Sequence, residues 1–180
     1  MKGIVLQLLG RCAREAFGED TWLGAMAKAG LAEPIDPQRL YPDHDFNAVV
    51  AALAAARGIS ADEAQRWFGE CAIRHFHAMA PDLFDRHHDS WSFLLTLNDI
   101  IHPQVRRGFP GADAPDFGFN AHANGDLVLT YHSPRRMCAF AEGLILASMR
   151  HYGDPPLLAH ARCMHRGDPH CEFVLAAPAA

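Results

Sequence analysis

The chain has 180 residues, a net charge of −5 and 49% hydrophobic residues, which suits one folded domain. The acidic balance argues against nucleic-acid binding, because a phosphate backbone is bound by clustered basic charge. No apolar run approaches the roughly 18 residues of a membrane span, and the N-terminal segment lacks a cleavage site, so we expect a cytoplasmic protein that does not bind a membrane. Twelve histidines and five cysteines are many for this length and suggest a metal or a metal-bearing cofactor.

The first two thirds of the chain have the apolar spacing of helices. Ser60 and Glu63 form a capping-box pattern that should open one long helix, and Pro81 should end it. The predicted helices span residues 4–17, 21–29, 46–57, 61–80 and 90–107.

After Pro115 the pattern changes to short alternating segments. Asn124-Gly125 is a strong hairpin-turn signal, and Ser133-Pro134 resembles an N-cap followed by proline at the first helical position. Strands are predicted over residues 117–121, 127–132, 157–164 and 171–175, with a helix over 135–152. The sequence therefore predicts an α+β fold, in which a helical N-terminal part precedes a part with a small antiparallel sheet and a long helix.

His102 lies among apolar residues of the predicted helix 90–107. A neutral imidazole on an apolar face can be an axial ligand of heme iron. The ordinary alternative is a half-buried histidine with one hydrogen bond. Pro103 follows directly, and because proline disfavours helix in the preceding residue we expect a kink at His102.

Tyr131, Ser133 and Arg135 occupy alternate positions at the end of a predicted strand. Side chains at i and i+2 share a face, and a guanidinium beside two hydroxyls can bind a carboxylate such as a heme propionate. The alternative is a strand-end tyrosine, a capping serine and a solvent-exposed arginine.

Together these residues resemble the heme nitric oxide/oxygen-binding (H-NOX) family of sensor domains. The resemblance covers essentially the whole chain and includes Met-Lys-Gly at residues 1–3, Phe-Gly-Glu-Asp at 17–20, Pro-Gly-Ala at 110–112, and Pro115. It implies one domain over residues 1–180, a b-type heme between the helical and αβ parts, and no enzymatic activity.

The resemblance also implies roles for individual residues. His102 would be the proximal iron ligand, Pro115 would press on the porphyrin, and the propionates would be held by Tyr131, Ser133 and Arg135. The apolar residues that it places in the gas pocket are Val5, Leu9, Phe76, Phe140 and Leu144.

Phe140 stands where O2-binding members of the family have a tyrosine, and it has no hydrogen-bond donor. Bound dioxygen gains from a distal donor, whereas nitric oxide depends on one much less. We therefore expect a nitric oxide sensor that binds CO weakly and O2 little or not at all. The chain has no kinase or cyclase motif, and the family suggests that release of His102 signals to a histidine kinase or a cyclic-di-GMP enzyme.

A second metal site is indicated towards the end of the chain, because structural zinc takes four Cys or His ligands. A subset of H-NOX proteins carries a Cys3His zinc site, whose thiolates can also sense oxidation. The ligands implied here are Cys138, His160, Cys163 and Cys171, with His165 and His170 as competitors for the histidine position.

The other cysteines and histidines carry no recognised metal spacing. Cys12 and Cys71 have no partner signal, and a disulfide framework is not expected in a cytoplasmic chain with an odd number of cysteines, so both are predicted to be structural. The histidines predicted to lie on the surface are His75, His77, His87 and His88.

Two alternatives to a heme sensor remain. A zinc enzyme could use Glu142 or Glu172 as general base, although catalytic zinc keeps an open coordination position and four ligands would close it. A zinc/thiol redox sensor or a zinc-stabilised ligand-binding adaptor would lack heme. Colour separates these from the heme sensor, because zinc sites are colourless.

Overall fold

A computed structural model describes residues 1–176 of the chain, so the last four residues of the expected domain lie outside it. The helices are α1 Gly3–Phe17, α2 Glu19–Lys28, α3 Asp43–Arg57, α4 Ala61–Met79, α5 Pro81–Phe84, α6 Ser90–Leu94, α7 His102–Gly108 and α8 Cys138–His151. The strands are β1 Asp116–Ala121, β2 Leu127–His132, β3 Leu158–Arg162 and β4 Cys171–Leu175. The predicted α+β class is confirmed. No helix in this part of the chain is both long and apolar enough to span a bilayer.

The capping box predicted from Ser60 and Glu63 is present at the start of α4. The Ser60 hydroxyl accepts the Glu63 N–H at 3.2 Å, and the Glu63 carboxylate accepts the Ser60 N–H at 2.8 Å. The two side chains thereby satisfy backbone donors that a helix start leaves unpaired, and the helix begins where the sequence predicts.

The four strands form one antiparallel sheet in the order β1-β2-β4-β3. Alternate residues of β4 are buried, as expected of a strand with one face on a core. The core divides into two hydrophobic clusters. The helical cluster includes Leu6, Leu9, Trp22, Phe46 and Phe68. The sheet cluster includes Leu129, Tyr131, Ile145, Met149 and Phe173.

Two glycines allow α4 and α8 to pack closely. A Cβ added at Gly143 would collide with the Arg66 carbonyl oxygen, and one added at Gly69 would collide with the Phe140 carbonyl oxygen. The backbones of the two helices are therefore in contact, and α8 joins the helical part to the sheet.

The predicted helix 90–107 is wrong as one continuous element. It is divided into α6, a π-helical turn over Leu97–Ile101, and α7. In the π turn the Ile101 N–H donates to the Thr96 carbonyl at 3.1 Å, five residues back. Pro103 has no N–H and its ring would crowd the carbonyl four residues earlier, so a wider turn before it is physically reasonable. The kink expected at His102 is this π turn, which ends one residue before His102.

The start of the last helix also differs from the prediction. Ser133 is not an N-cap, because Ser133–Arg136 is a turn closed by the Arg136 N–H on the Ser133 carbonyl at 3.1 Å. Arg136 has a positive φ of 50°, which interrupts helical geometry, and α8 begins only at Cys138. The strand predicted over 157–164 is likewise shorter, because Met164–Arg166 forms a 3₁₀ turn.

Candidate functional site

His102 is the first residue of α7 and faces the sheet. Its ring centroid lies 6.0 Å from that of Phe117 on β1. The Nδ1 atom is buried and has no hydrogen-bond partner among the described residues. Burial, reinforced by the Arg106 charge and opposed by Asp116 and the Pro115 backbone, lowers the pKa of His102 to about 4. The imidazole is therefore neutral at neutral pH, which is the form that coordinates a metal.

Asn98 fastens the π turn to the sheet, a role that the sequence did not reveal. Its Nδ2 donates to the Phe117 carbonyl at 2.6 Å, and its Oδ1 accepts the Phe117 N–H at 3.2 Å. One side-chain amide thus satisfies both backbone groups of Phe117 and fixes the segment that carries His102. The contact spans 19 residues and involves only backbone atoms of the partner, so no sequence pattern could signal it.

Tyr131 continues this line of contacts. Its ring centroid lies 5.5 Å from that of Phe117, and both Tyr131 and Ser133 are buried. Burial raises the pKa of Tyr131 to about 12, against a smaller opposing contribution from the Ser133 hydroxyl. The phenol therefore stays protonated and can donate a hydrogen bond.

Arg135 is oriented by two aspartates and is not free in solvent. Its Nε donates to the two Asp43 carboxylate oxygens at 3.0 and 3.1 Å. Its Nη1 donates to the Asp113 carbonyl at 2.6 Å and lies 3.2 Å from the Asp113 carboxylate. The guanidinium is thus held among carboxylates, the group that its planar donors match. The alternative of an exposed arginine is wrong.

The predicted gas-pocket residues come from three helices. Leu9 is fully buried on α1, while Val5, Phe76, Phe140 and Leu144 are partly buried and pack against the helical cluster. Phe76 and Leu144 also pack against the sheet cluster, so they lie at the junction of the two parts. None of these side chains offers a hydrogen-bond donor.

These residues fit a heme. A neutral imidazole whose Nδ1 has no hydrogen-bond partner suits the iron, and apolar helices suit the porphyrin. Arg135 could hold a propionate with the donors that Asp43 and the Asp113 carbonyl leave over. Pro115 is partly buried, and its backbone lies near enough to the His102 ring to oppose slightly the lowering of the His102 pKa.

Three buried cysteines form a second site, where the start of α8, the end of β3 and the start of β4 meet. The sulfur atoms of Cys138, Cys163 and Cys171 all lie within 4.8 Å of one another, and those of Cys138 and Cys171 are 2.9 Å apart. Burial, and then the neighbouring sulfurs, raise the pKa of the Cys138 thiol; burial likewise raises the pKa of Cys171. A bound cation would reverse this preference for the neutral thiol, and the three sulfurs fit zinc.

His160 is not within that distance of all three sulfurs, but its surroundings suit a metal ligand. Its Nδ1 lies 3.3 Å from a Glu142 carboxylate oxygen, and its Nε2 is buried without a hydrogen-bond partner in the described structure. A carboxylate on the other ring nitrogen commonly orients a histidine ligand. The competitors are engaged elsewhere: His165 contacts the Arg136 carbonyl at 2.7 Å, and His170 contacts Glu172 at 3.0 Å.

Glu142 itself is held by Arg66 through two hydrogen bonds of 3.0 and 3.2 Å. Burial opposes its ionisation, but hydrogen bonds from His160 and Arg66 outweigh burial and keep the pKa of Glu142 below its usual value. A carboxylate so paired is poorly suited to act as a general base, which weakens the zinc-enzyme alternative.

Cys12 and Cys71 form a disulfide between α1 and α4, with Cα atoms 6.0 Å apart. The expectation of two unpartnered cysteines is therefore wrong. One nitrogen of His75 lies within 4.8 Å of both sulfurs. These three residues could not ligate a metal while the disulfide is intact, because the bond consumes both thiolates.

Comparison with known proteins agrees with the predicted resemblance. The family described as Haem-NO-binding matches residues 2–157. No curated protein sequence matches the chain.

Several solved structures share the fold. An H-NOX protein from S. oneidensis in the Fe(II)NO state is 24% identical, with a TM-score of 0.90 over 97% of this chain and 98% of that chain. The Fe(II)CO form of an H-NOX domain from Shewanella oneidensis is 23% identical, with a TM-score of 0.88 over 100% of both chains. An unliganded Fe(II) H-NOX protein from K. algicida is 19% identical, with a TM-score of 0.82 over 100% of this chain and 98% of that chain.

Proposed function

Because this chain belongs to the haem-NO-binding family of gas-sensor domains, which are not enzymes, we propose that it senses nitric oxide at a ferrous b-type heme held by His102. The observation that carries the proposal is the His102 imidazole, which is neutral and has a buried Nδ1 without a partner. The other residues that would hold the heme are Tyr131, Ser133 and Arg135, and Pro115 would press on the porphyrin. A heme bound there supplies an iron with one open position for a diatomic gas.

The apolar pocket residues support the choice of gas. Phe140 stacks on Phe68 at a centroid distance of 4.7 Å, and the other predicted pocket residues, Val5, Leu9, Phe76 and Leu144, also lack donors. Without a donor, oxygen loses the hydrogen bond that stabilises its bound form, whereas nitric oxide loses little. Nitric oxide is therefore the proposed ligand, CO a weak one, and O2 a poor one or none.

The proposed signal is the release of His102 when nitric oxide binds. His102 is joined to the π turn Leu97–Ile101, which Asn98 attaches to β1. Release of His102 would free this segment to shift against the sheet, and only such a difference between two states can carry information to a partner. A cytoplasmic histidine kinase or cyclic-di-GMP enzyme is the proposed partner, and residues 1–180 are proposed to act as one domain.

Zinc is the second proposed cofactor, with Cys138, Cys163, Cys171 and His160 as ligands. The three clustered sulfurs and the unpaired His160 Nε2 support it. Four ligands would close the coordination sphere, so the zinc would be structural. Oxidation of its thiolate ligands would release the metal.

The test is the absorption spectrum of purified reduced protein before and after nitric oxide and air. We expect a heme band that air does not change and that nitric oxide converts to a five-coordinate form. His102→Gly should weaken or shift the band, because it removes the iron ligand. His88→Gly, at an exposed histidine, is the matched control and should leave the spectrum unchanged.

Three outcomes would contradict the proposal in distinct ways. A lasting six-coordinate nitric oxide spectrum would rule out release of His102. A stable oxygen complex would show that the reasoning from Phe140 is wrong. A colourless protein that cannot be reconstituted with heme would leave the zinc/thiol redox sensor or the adaptor without heme.

A further inference from the structure

Cys12, Cys71 and His75 form a group that lies outside both sites described above. Cys71 and His75 are four residues apart on α4 and so lie on one face of that helix, where Cys12 meets them from α1. One ring nitrogen of His75 and the two sulfurs all lie within 4.8 Å of one another. Two helices thus bring together three side chains of the kinds that bind transition metals.

The three side chains are shielded from solvent to different degrees. Cys12 is fully buried, Cys71 is 8% exposed, and the His75 side chain is 17% exposed. The His75 Nε2 atom is buried without a hydrogen-bond partner in the described structure, although a Glu15 carboxylate oxygen lies 3.4 Å away. A buried polar atom of this kind costs free energy until it gains a partner, and a bound metal ion would be one.

The two cysteines have a reduced state as well as the disulfide, because thiols prevail in reducing surroundings. In the reduced chain, rotation about the Cα–Cβ bonds separates the sulfurs. The Cα atoms, 6.0 Å apart, still leave them close enough to share one metal ion at about 2.3 Å from each sulfur. Arg74 Nη2 donates to the Cys71 sulfur at 3.2 Å, and a cation in this place favours the thiolate, the form that binds metals.

The number and kind of ligands select the metal. Structural zinc takes four Cys or His ligands, whereas this group offers three within the described part of the chain. Two soft thiolates and an imidazole suit copper(I), which is stable with three ligands. Copper(I) with two thiolates carries one net negative charge, and the Arg74 guanidinium beside the Cys71 sulfur stabilises that charge.

We propose that the reduced chain binds one copper(I) ion through Cys12, Cys71 and His75. Copper binding and the Cys12–Cys71 disulfide exclude each other, because both use the same two sulfurs. The site needs neither heme nor zinc, so it is independent of the function proposed above.

Copper binding itself involves no electron transfer. The cysteines are synthesised as thiols, and copper(I) replaces their two protons, which pass to water while the metal keeps its oxidation state. Closing the disulfide is the competing reaction. In air the two thiols lose two electrons and two protons to dioxygen, which becomes hydrogen peroxide, and the new S–S bond removes both thiolate ligands.

The experiment uses the full chain, purified without air and with a phosphine reductant present from cell lysis onward, so that no reagent has to reach a buried disulfide. Copper(I) is supplied as its complex with the chelator bicinchoninate, and bound copper is counted by elemental analysis after desalting. Cys163→Ser is the parent protein, because it weakens the other cysteine cluster. We expect it to hold about one more copper ion per chain than Cys71→Ser/Cys163→Ser.

A histidine variant tests the third ligand in a protein that keeps both cysteines. In the same parent, His75→Ala should weaken copper binding by about tenfold or more in competition with bicinchoninate, because one of three ligands is lost. His77→Ala, on the same helix, is the matched control and should bind copper like the parent. Both variants should still form the linked Cys12–Cys71 peptide in air, which mass spectrometry detects and which shows that α1 and α4 pack normally.

Three results would overturn the inference. The first is equal copper content with and without Cys71. The second is a chain that contains the linked Cys12–Cys71 peptide and still holds this copper ion. The third is loss of the copper to an excess of Zn²⁺ under reducing conditions, which would show that the three ligands do not select copper(I).

Discussion

Two ionisable side chains of the candidate heme site, His102 and Arg135, have opposite surroundings. His102 is desolvated and near a like charge from Arg106, so its neutral form is favoured. Arg135 lies between the carboxylates of Asp43 and Asp113, which hold its guanidinium in place. The protein without ligand therefore already presents a neutral His102 imidazole, which suits a metal ion. It also presents a fixed Arg135 guanidinium, which suits a carboxylate.

The Asp43 carboxyl lends itself to a pH test in the heme-free protein. Partial burial opposes its ionisation, but hydrogen bonds from the Met1 ammonium and Arg135 outweigh burial and lower its pKa. Because the folded pKa is the lower one, the stabilisation is present above the unfolded pKa of about 4 and is lost as pH falls through the folded pKa. Asp43→Asn should lower the unfolding free energy at pH 7 by at most about 1 kcal/mol, since the side chain is half exposed.

The measurement is urea unfolding of wild type and Asp43→Asn at several pH values. The difference between the two proteins should shrink as the solution is acidified below pH of about 4. Asp20→Asn is the control, because Asp20 also lies in the first turn of a helix and tests the helix-dipole contribution alone. A difference that stays constant at acid pH would contradict the assigned ion pairs.

At the scale of elements, the contact between α4 and α8 depends on glycine. Gly143→Ala places a Cβ against the Arg66 backbone carbonyl, which cannot move without displacing α4. We expect the free energy of unfolding to fall by about 2 kcal/mol or more. Gly24→Ala is the matched control: Gly24 is also helical, has open space around its Cβ position, and should gain up to about 1 kcal/mol. Equal effects in chemical denaturation would show that α4 and α8 do not pack this closely.

The junction of α8, β3 and β4 gives a prediction about metal content. Cys163→Ser should remove the zinc found by elemental analysis, because a serine hydroxyl is a poor substitute for a thiolate. Among the histidines, His160→Ala should weaken zinc binding by about tenfold or more, whereas His165→Ala and His170→Ala should not. Cys71→Ser is the control outside the cluster and should retain zinc. Equal zinc content in all five proteins would refute the ligand set.

For the molecule as a whole, local features were predictable from the sequence and long-range pairings were not. The capping box at Ser60 and the hairpin turn at Asn124-Gly125 are local, and α4 and β2 lie where they predict. The π turn escaped prediction because apolar spacing over 90–107 continues through it. The resemblance named His102 and Arg135 but not Asp43 and Asn98, which meet their partners only after folding.

The Cys12–Cys71 disulfide shows why a chain-wide expectation can fail locally. An odd cysteine count and an expected cytoplasmic location describe the chain on average. They say nothing about two residues, 59 positions apart, that α1 and α4 bring face to face. The pairing depends on helix packing, which neither sequence segment encodes alone.

The attachment of Asn98 to Phe117 has a mechanical consequence. β1 is the outermost strand on its side of the sheet and shares a hydrogen-bonded ladder with β2 alone among the described residues. The segment that carries His102 is therefore coupled to an edge strand, while β2 and β4 each have a hydrogen-bonded neighbour on both sides. A displacement of His102 would therefore act first on β1, the edge strand to which Asn98 holds its segment.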